Sequence, residues 1–160
     1  MQLLDVTDSD LADVLALNEA SVPHVSSMDM ERIRWFAANA GYFRIARIDE
    51  TFAGFLIGLR PGIDYGSENY GWFCANYRDF GYIDRVAVAP SARRQGVASS
   101  LYDDFANTLR GEVDVMTCEV NIRPANESSM RFHELQGFRQ VASQETEGGT
   151  KEVAMMEKIL

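Results

Sequence analysis

The stretch VAVAPSARRQGVAS, residues 86–99, joins a strand-like apolar run to the start of an amphipathic helix. A proline ends the apolar run, two arginines follow, and Gly96 stands where the helical pattern begins. The amide N–H groups of residues 93–98 would lack partners at the N-terminus of such a helix, where the helix dipole is positive. The junction therefore predicts an anion site, and phosphate is the usual occupant of such a site.

A solvated helix start, with glycine as a merely poor helix residue, is the alternative explanation of this junction. The order of strand, proline, Arg-x-x-Gly-x-Ala and amphipathic helix favours the anion site over that alternative. Two other phosphate loops are excluded, because the chain has no Walker-type GxxxxGKS/T and no GxGxxG after its first strand.

Length and charge limit the classes of protein that the chain can belong to. It has 160 residues, 46% of them hydrophobic and 24% charged, so we expect one domain over residues 1–160 with a substantial core. The net charge of −9, from 15 basic and 24 acidic residues, argues against nucleic-acid binding, which requires Lys and Arg at phosphates. A soluble acidic surface is the common cause of this balance, and a cationic or amine partner also suits it.

The sequence contains no pattern typical of a membrane segment, a disulfide framework or a metal site. Neither an apolar run of about 18 residues nor a basic-then-apolar leader occurs, so we expect a cytoplasmic protein without membrane contacts. Cys74 and Cys118 are far apart, no CxxC occurs, and no histidine stands at metal-ligand spacing. We therefore expect two reduced thiols and no metal site.

Hydrophobic periodicity predicts a mixed α/β chain. Strands are predicted over residues 3–6, 42–48, 51–59, 82–89 and 115–121, with two more near 138–143 and 152–159. A first helix would carry Leu11, Val14, Leu15 and Asn18 on one stripe, and further helices are predicted over 29–40, 95–110 and 127–136. Residues 61–81 show no period and are predicted to be a long loop. This order favours helices covering a largely antiparallel sheet.

A known family matches the junction motif. The pattern Val-x-Val-x-Pro, then Arg/Gln-x-x-Gly-x-Gly/Ala, made here by Val86, Val88, Pro90, Arg93, Gly96 and Ala98, resembles the cofactor motif of GNAT-type N-acetyltransferases. The resemblance implies the α/β GNAT fold, with a mixed, mostly antiparallel central sheet flanked by about four helices. It also implies that acetyl-CoA binds, with its pyrophosphate on the amides of 94–99 and its pantetheine arm along residues 86–88. The cofactor-binding residues so implied are Val86, Ala87, Val88, Arg93, Arg94, Gln95, Gly96, Val97, Ala98 and Ser99.

The stretch NESSMRFHELQGF, residues 126–138, supports the same resemblance. Asn126 is a good N-cap, Gly137 a good residue to follow a helix, and Asn126, Ser129 and His133 lie within about 60° on one helix face. In GNAT-type enzymes a helix of this pattern lines the coenzyme thiol, which implies that Asn126 and Ser129 bind the cofactor. The family's usual tyrosine is replaced by His133, which either protonates the leaving thiolate or is a spectator while water does so.

An amine acceptor must lose a proton, and a carboxylate is the usual agent. Asp84 shares a strand face with Tyr82, Val86 and Val88 and is the first candidate base, although a salt-bridged aspartate is the alternative. Glu119 is the second candidate. The aromatic residues of the loop 61–81 are predicted to line the acceptor pocket, with a core lid or a dimer contact as the alternative. These substrate-binding candidates are Tyr70, Trp72, Phe73 and Tyr82.

The sequence thus predicts an acetyl-CoA-dependent N-acetyltransferase that acts on the primary amine of a small molecule by direct attack. On the family pattern, a main-chain N–H near Val86 would stabilise the oxyanion. A non-catalytic CoA-binding regulatory module and a protein or peptide N-acetyltransferase are the alternatives. A homodimer is an expectation from the family alone.

Overall fold

The computed structural model describes residues 1–160 and contains seven β-strands and five α-helices. The strands are β1 Gln2–Asp5, β2 Tyr42–Ile48, β3 Thr51–Leu59, β4 Gly81–Val88, β5 Val115–Arg123, β6 Arg139–Thr146 and β7 Lys151–Ile159. The helices are α1 Leu11–Ala20, α2 Met30–Asn39, α3 Glu68–Asn76, α4 Val97–Leu109 and α5 Glu127–Leu135. No helix is both long enough and apolar enough to span a membrane.

One sheet contains all the strands, in the order β1-β2-β3-β4-β5-β7-β6. The pairs β1–β2, β2–β3, β5–β7 and β6–β7 are antiparallel. The strands β4 and β5 pair in parallel through Gly81↔Met116 and Tyr82↔Thr117. The predicted mixed, mostly antiparallel sheet is confirmed, with five helices where the sequence predicts about four.

The hairpin of β2 and β3 forms as the sequence predicts. Asp49 and Glu50 connect the two strands with φ values of 47° and 63°. Positive φ at both central residues is typical of the tight turns whose twist matches that of a β-hairpin. The register that follows pairs Ile48 with Thr51 and Ile45 with Phe55.

The prediction of a continuous loop over residues 61–81 is wrong, because α3 occupies its centre. The Ser67 side chain caps this helix by accepting a hydrogen bond from the Tyr70 amide. Tyr70 and Phe73, three residues apart, are its buried face. Gly71 and the polar residues around it hide the helical period, and tertiary packing overrides their weak helix propensity.

The other observed helices differ from the predicted ones only in the residues at their ends. Asp29 caps α2 by accepting a hydrogen bond from the Arg32 amide at 2.8 Å. In α1 the buried stripe contains Leu17, whereas the predicted Leu15 is half-buried. The helix α4 begins at Val97 and not at residue 95, because the residues before it adopt a turn.

The chain divides into two compact units, and the prediction of one domain over residues 1–160 stays a prediction. The first unit comprises residues 1–59 and 83–108. Its core contains Phe36, Phe55 and Phe105, each at most 2% exposed. The Tyr42 hydroxyl donates to Asp104 at 2.8 Å and Arg44 pairs with the same carboxylate at 2.6 Å, which ties β2 to α4.

The second unit comprises residues 60–82 and 109–160. The buried aromatic side chains of Tyr70, Phe73, Phe80 and Tyr82 form one cluster in it, with neighbouring ring centroids about 5.5–6.3 Å apart. The Tyr77 hydroxyl donates to Glu157, which also accepts from Arg139. These hydrogen bonds lower the pKa of Glu157 and join the end of α3 to β6 and β7.

We predict opposite stability changes for two glycine-to-alanine substitutions. A Cβ at Gly54 in β3 would lie 2.6 Å from the Ala87 carbonyl oxygen and 3.2 Å from Cγ1 of Val97. Gly54→Ala should therefore lower the free energy of unfolding by about 1–3 kcal/mol through overpacking. Gly71→Ala, where a Cβ meets nothing within 4 Å, should raise it by about 0.5–1 kcal/mol through helix propensity.

Urea unfolding of the two variants beside the wild type measures both changes. Equal midpoints for Gly54→Ala and the wild type would show that β3 does not approach β4 this closely in solution.

Candidate functional site

The turn between β4 and α4 carries the predicted anion site. A short 3-10 turn at Pro90–Ala92 is followed by Arg94 with φ 62° and Gly96 with φ 80°, and α4 starts directly afterwards. Turns with left-handed residues bring main-chain N–H groups into concavities that bind anions. The Gln95 side chain fixes the turn by donating to the Ser91 carbonyl at 2.9 Å.

The surroundings of this turn suit a diphosphate. Residues 93–96 are exposed, so the two arginine side chains extend from the surface. A Cβ built at Gly96 meets nothing within 4 Å, so the space beside this backbone is open. Val97 is 1% exposed and anchors the first turn of α4, while Ala98 and Ser99 are half-buried. These residues can hold the pyrophosphate of a coenzyme A molecule through main-chain donors and positive charge.

The strand β4 precedes this turn and alternates between buried and half-buried residues. Ala87 is 6% exposed, whereas Val86 and Val88 are half-buried. The Ala89 amide, just after the strand, donates to the Ala53 carbonyl of β3 at 2.9 Å. The predicted role of residues 86–88 along a pantetheine arm stays a prediction.

Asp84, the first candidate base, lies in a buried ion pair. Its Oδ2 accepts from Arg85 Nε at 2.7 Å, and the two side chains are 4% and 5% exposed. This is the salt-bridged aspartate that the sequence left as the alternative. A carboxylate already bonded to a guanidinium and shielded from solvent is poorly placed to accept a proton from an acceptor.

Glu119, the second candidate, forms a different kind of pair. The Tyr82 hydroxyl, at the start of β4, donates to Glu119 Oε1 on β5 at 2.9 Å. Tyr82 is 1% exposed, whereas Glu119 is half-buried. Glu119 Oε2 is itself buried, so Glu119 is a carboxylate oriented by a hydroxyl donor and shielded from bulk water. Such a carboxylate can serve as a general base for an amine that is brought against it.

The other aromatic candidates for the acceptor pocket pack against Tyr82 or against each other. Tyr70 and Phe73 are 3% and 0% exposed, and their ring centroids lie 5.5 Å and 5.6 Å from that of Tyr82. The Tyr70 hydroxyl donates to the Arg60 carbonyl at 2.7 Å. Trp72 is half-buried and packs on Phe73. Tyr70 and Phe73 are therefore core residues, as the core-lid alternative predicts. They pack against Tyr82 and do not line an open pocket.

The helix α5 has the predicted caps. The Asn126 side chain accepts from the Ser129 amide at 3.2 Å, and Gly137 follows the helix with φ 89°. Asn126 and Ser129 are half-buried, and their predicted contacts with the cofactor stay predictions. His133, on the same face, is 4% exposed and packs against Phe132 and Phe138, so it lies in the interior.

The hydrogen bonds of His133 decide which proton it carries. Its Nδ1 lies 2.7 Å from the Ser129 carbonyl oxygen, which can only accept, so we assign the proton to Nδ1. The neutral ring then has no proton on Nε2 to give. Burial lowers the pKa of His133, which disfavours the imidazolium that an acid would need. The geometry therefore favours the spectator alternative over the general acid.

Sequence reasoning missed the partners of Arg85. The guanidinium Nη1 donates to Asn18 Oδ1 and to the Ser26 carbonyl, both at 3.0 Å. Two signals were present in the sequence. Asn18 is a polar residue on the apolar stripe of α1, and Arg85 is a charge on the apolar face of β4, so each required a buried partner.

Comparisons with known proteins agree with this geometry. Residues 11–138 match the Acetyltransferase (GNAT) family. No curated protein sequence matches the chain.

Solved structures share the whole fold at low identity. Ard1 from Thermoplasma volcanium has a TM-score of 0.81 at 19% identity, covering 99% of this chain and 97% of that one. Ribosomal-protein-alanine N-acetyltransferase from Brucella melitensis has a TM-score of 0.76 at 19% identity, with 100% of both chains covered. Arabidopsis thaliana Naa50, in complex with the bisubstrate analogue CoA-Ac-MVNAL, has a TM-score of 0.74 at 16% identity, covering 98% and 97%.

We predict that Gly96→Ala weakens acetyl-CoA binding by at least about tenfold, or about 1.4 kcal/mol. The methyl group disfavours φ 80° and enters the space beside the turn. Titration calorimetry with acetyl-CoA measures the change. Gly62→Ala is the matched control, because Gly62 has φ 94° and equally open surroundings outside this turn. Equal affinities for both variants and the wild type would contradict the anion site.

We predict that His133→Gln changes kcat by less than about tenfold, because the glutamine amide can also donate to the Ser129 carbonyl. A general acid would instead contribute about 10²–10⁴-fold. The pH profile of kcat, measured for both proteins, distinguishes the roles. A hundredfold loss of kcat together with a missing basic limb would restore His133 as the acid.

Proposed function

The chain belongs to the acetyltransferase (GNAT) family and is an acetyl-CoA-dependent N-acetyltransferase, and from that premise we propose that its acceptor is the free α-amino group of a peptide or protein. The observation that carries this proposal is the pair formed by the Tyr82 hydroxyl and Glu119. It supplies one half-buried carboxylate as the base.

The pKa of the acceptor favours an α-amine when one carboxylate is the base. An α-amino group has a pKa of about 7.7–8.0, whereas a lysine side chain has about 10.4. At neutral pH an α-amine is partly unprotonated already, so a single carboxylate, acting directly or through water, can take up its remaining proton. At the same pH the neutral fraction of an alkyl amine is far smaller, so the same carboxylate would have to deprotonate nearly every acceptor molecule.

The contacts around α3 also support a peptide acceptor. The expectation of a small molecule depended on an aromatic pocket wall, but Tyr70 and Phe73 are buried. A bulky loop at 61–81, as the sequence predicts, would argue against an open peptide groove, but nine of those residues are instead the helix α3. The similar folds of a ribosomal-protein-alanine N-acetyltransferase and of Naa50 with the bisubstrate analogue CoA-Ac-MVNAL support this choice.

Residues of this chain, bound acetyl-CoA and water each contribute to the acetyl transfer. Main-chain N–H groups around Gly96, with Arg93 and Arg94, hold the diphosphate. Bound acetyl-CoA supplies the thioester acetyl group and its leaving thiol. The Tyr82 hydroxyl holds Oε1 of Glu119, and the carboxylate accepts the proton of the acceptor amine. An N–H near Val86 stabilises the developing oxyanion. Water passes a proton to the departing sulfur, because the one ring proton of neutral His133 is on Nδ1 and is donated to the Ser129 carbonyl.

We predict that the wild-type enzyme releases free thiol from acetyl-CoA with short peptides that have a free N-terminus. Glu119→Gln should lower kcat by about 10²–10⁴-fold at neutral pH, because it removes the base. Raising the pH should recover part of this loss, since more of the α-amine is then neutral. Thiol release and the mass of the peptide product measure both effects.

The matched control is Glu112→Gln, which removes an exposed carboxylate paired with Arg60 in the same unit and should leave kcat unchanged. N-terminally blocked peptides that retain a lysine, and small primary amines such as polyamines, are tested in parallel. Faster transfer to the small amines would contradict a peptide acceptor and show that the acceptor is a small molecule. Full activity of Glu119→Gln would remove Glu119 as the base.

A further inference from the structure

Arg85 is a buried arginine on the strand that carries the predicted cofactor contacts. Its side chain is 5% exposed. Nε donates to Asp84, Nη1 to Asn18 and to the Ser26 carbonyl, and Nη2 to Ser26 Oγ at 3.2 Å. The guanidinium also lies 5.2 Å from the centroid of the Phe36 ring. One side chain of β4 therefore contacts α1, α2 and the connection between them.

Main-chain hydrogen bonds hold residues 21–25 of the connection, residues 21–29, whereas side chains hold residues 26–28. Asn18 Nδ2 donates to the Ser26 carbonyl at 3.1 Å, so the same oxygen accepts from both Asn18 and Arg85. The Glu19 carboxylate accepts from Ser27 Oγ at 2.9 Å and from the Met28 amide at 2.9 Å. Replacing Arg85 would remove the two bonds that join Ser26 to β4 and leave the Ser26 carbonyl with Asn18 alone.

The held segment forms one side of an open groove. Ser27, Met28 and Asp29 line it from the connection, and Glu31, Arg32 and Trp35 line it from α2, around about 560 Å³. Its lining includes two acidic residues, Asp29 and Glu31, and Asp29 also accepts from the Arg32 amide. The one lining cation, Arg32, has its guanidinium 5.2 Å from the Trp35 ring. The excess of negative charge suits an incoming amine.

We infer that Arg85 is a positioning residue for the acceptor: by holding residues 21–29 against β4, it fixes the groove that receives the chain of the amine substrate. The inference rests on the proposed function. Arg85 is the neighbour of Val86, where the oxyanion is expected, and it binds Ser26, the neighbour of the groove residue Ser27. The groove and the reaction centre are thus linked through one guanidinium.

The geometry requires arginine at this position. Four of its N–H groups donate to acceptors on three segments of chain, in the fixed fork of a planar guanidinium. A lysine keeps the positive charge beside Asp84 but offers one point donor group. Arg85→Lys therefore loosens the connection without leaving Asp84 as an unpaired buried charge.

The experiment compares Arg85→Lys with the wild type in two measurements. In steady-state transfer from acetyl-CoA to a free-N-terminus peptide, KM for the peptide should rise at least about tenfold, while KM for acetyl-CoA changes by less than about twofold. In hydrogen exchange of the enzyme alone, amides in residues 21–29 should exchange faster. Ser26→Ala, which removes one contact, should shift both readings in the same direction but less.

The matched control is Arg47→Lys, which weakens a comparable ion pair with Asp10 in the same unit and should leave KM for the peptide unchanged. A peptide KM of Arg85→Lys equal to that of the wild type, or an equal rise of both KM values, would overturn the inference. Unchanged exchange in residues 21–29 would overturn it as well, and this reading does not depend on turnover. Absence of peptide transfer by the wild type would instead refute the proposed acceptor.

Discussion

The left-handed turn at Arg94 and Gly96 is the constraint on which the anion site depends, since it ends the 3-10 turn and turns the chain into α4. Its position is set by the packing behind it. Gly54 allows the β3 backbone to approach the Ala87 carbonyl and Val97, and Val97 in turn fixes the first turn of the helix. The backbone geometry thus gives this turn the form of the predicted anion site, and the exposed side chains of Arg93 and Arg94 add positive charge to it.

Buried polar groups organise the remaining chemistry, separately in each unit. In the first unit, Arg85 pairs with Asp84 and holds Ser26. In the second unit, an aromatic cluster supports Tyr82, whose hydroxyl holds Glu119. The two carboxylates have different environments, and the environment decides their roles. Asp84 is the counter-ion of a guanidinium, whereas Glu119 accepts from a neutral hydroxyl and stays the candidate base.

The features that the sequence predicted correctly are those encoded locally. Alternating apolar residues predicted β2 and β3 with their two-residue turn, and the order of proline, arginine and glycine predicted the turn before α4. The helix α3 was missed because Gly71 interrupts its period and its stability comes from the contacts of Tyr70 and Phe73 with distant residues. The burial of Asp84 and His133 was equally hidden. Spacing gives the face on which a residue lies, but not which partner it meets there.

The connection between α1 and α2 has a consequence for how such an enzyme can diversify. Its described bonds to β4 are made by one arginine side chain and not by a ladder of main-chain pairs. Substitutions at neighbouring positions such as Ser27 or Asp29 can therefore accumulate without disturbing the register of the sheet. Such substitutions would also leave the turn at Arg94 and Gly96 unchanged, because that turn depends on its own backbone geometry.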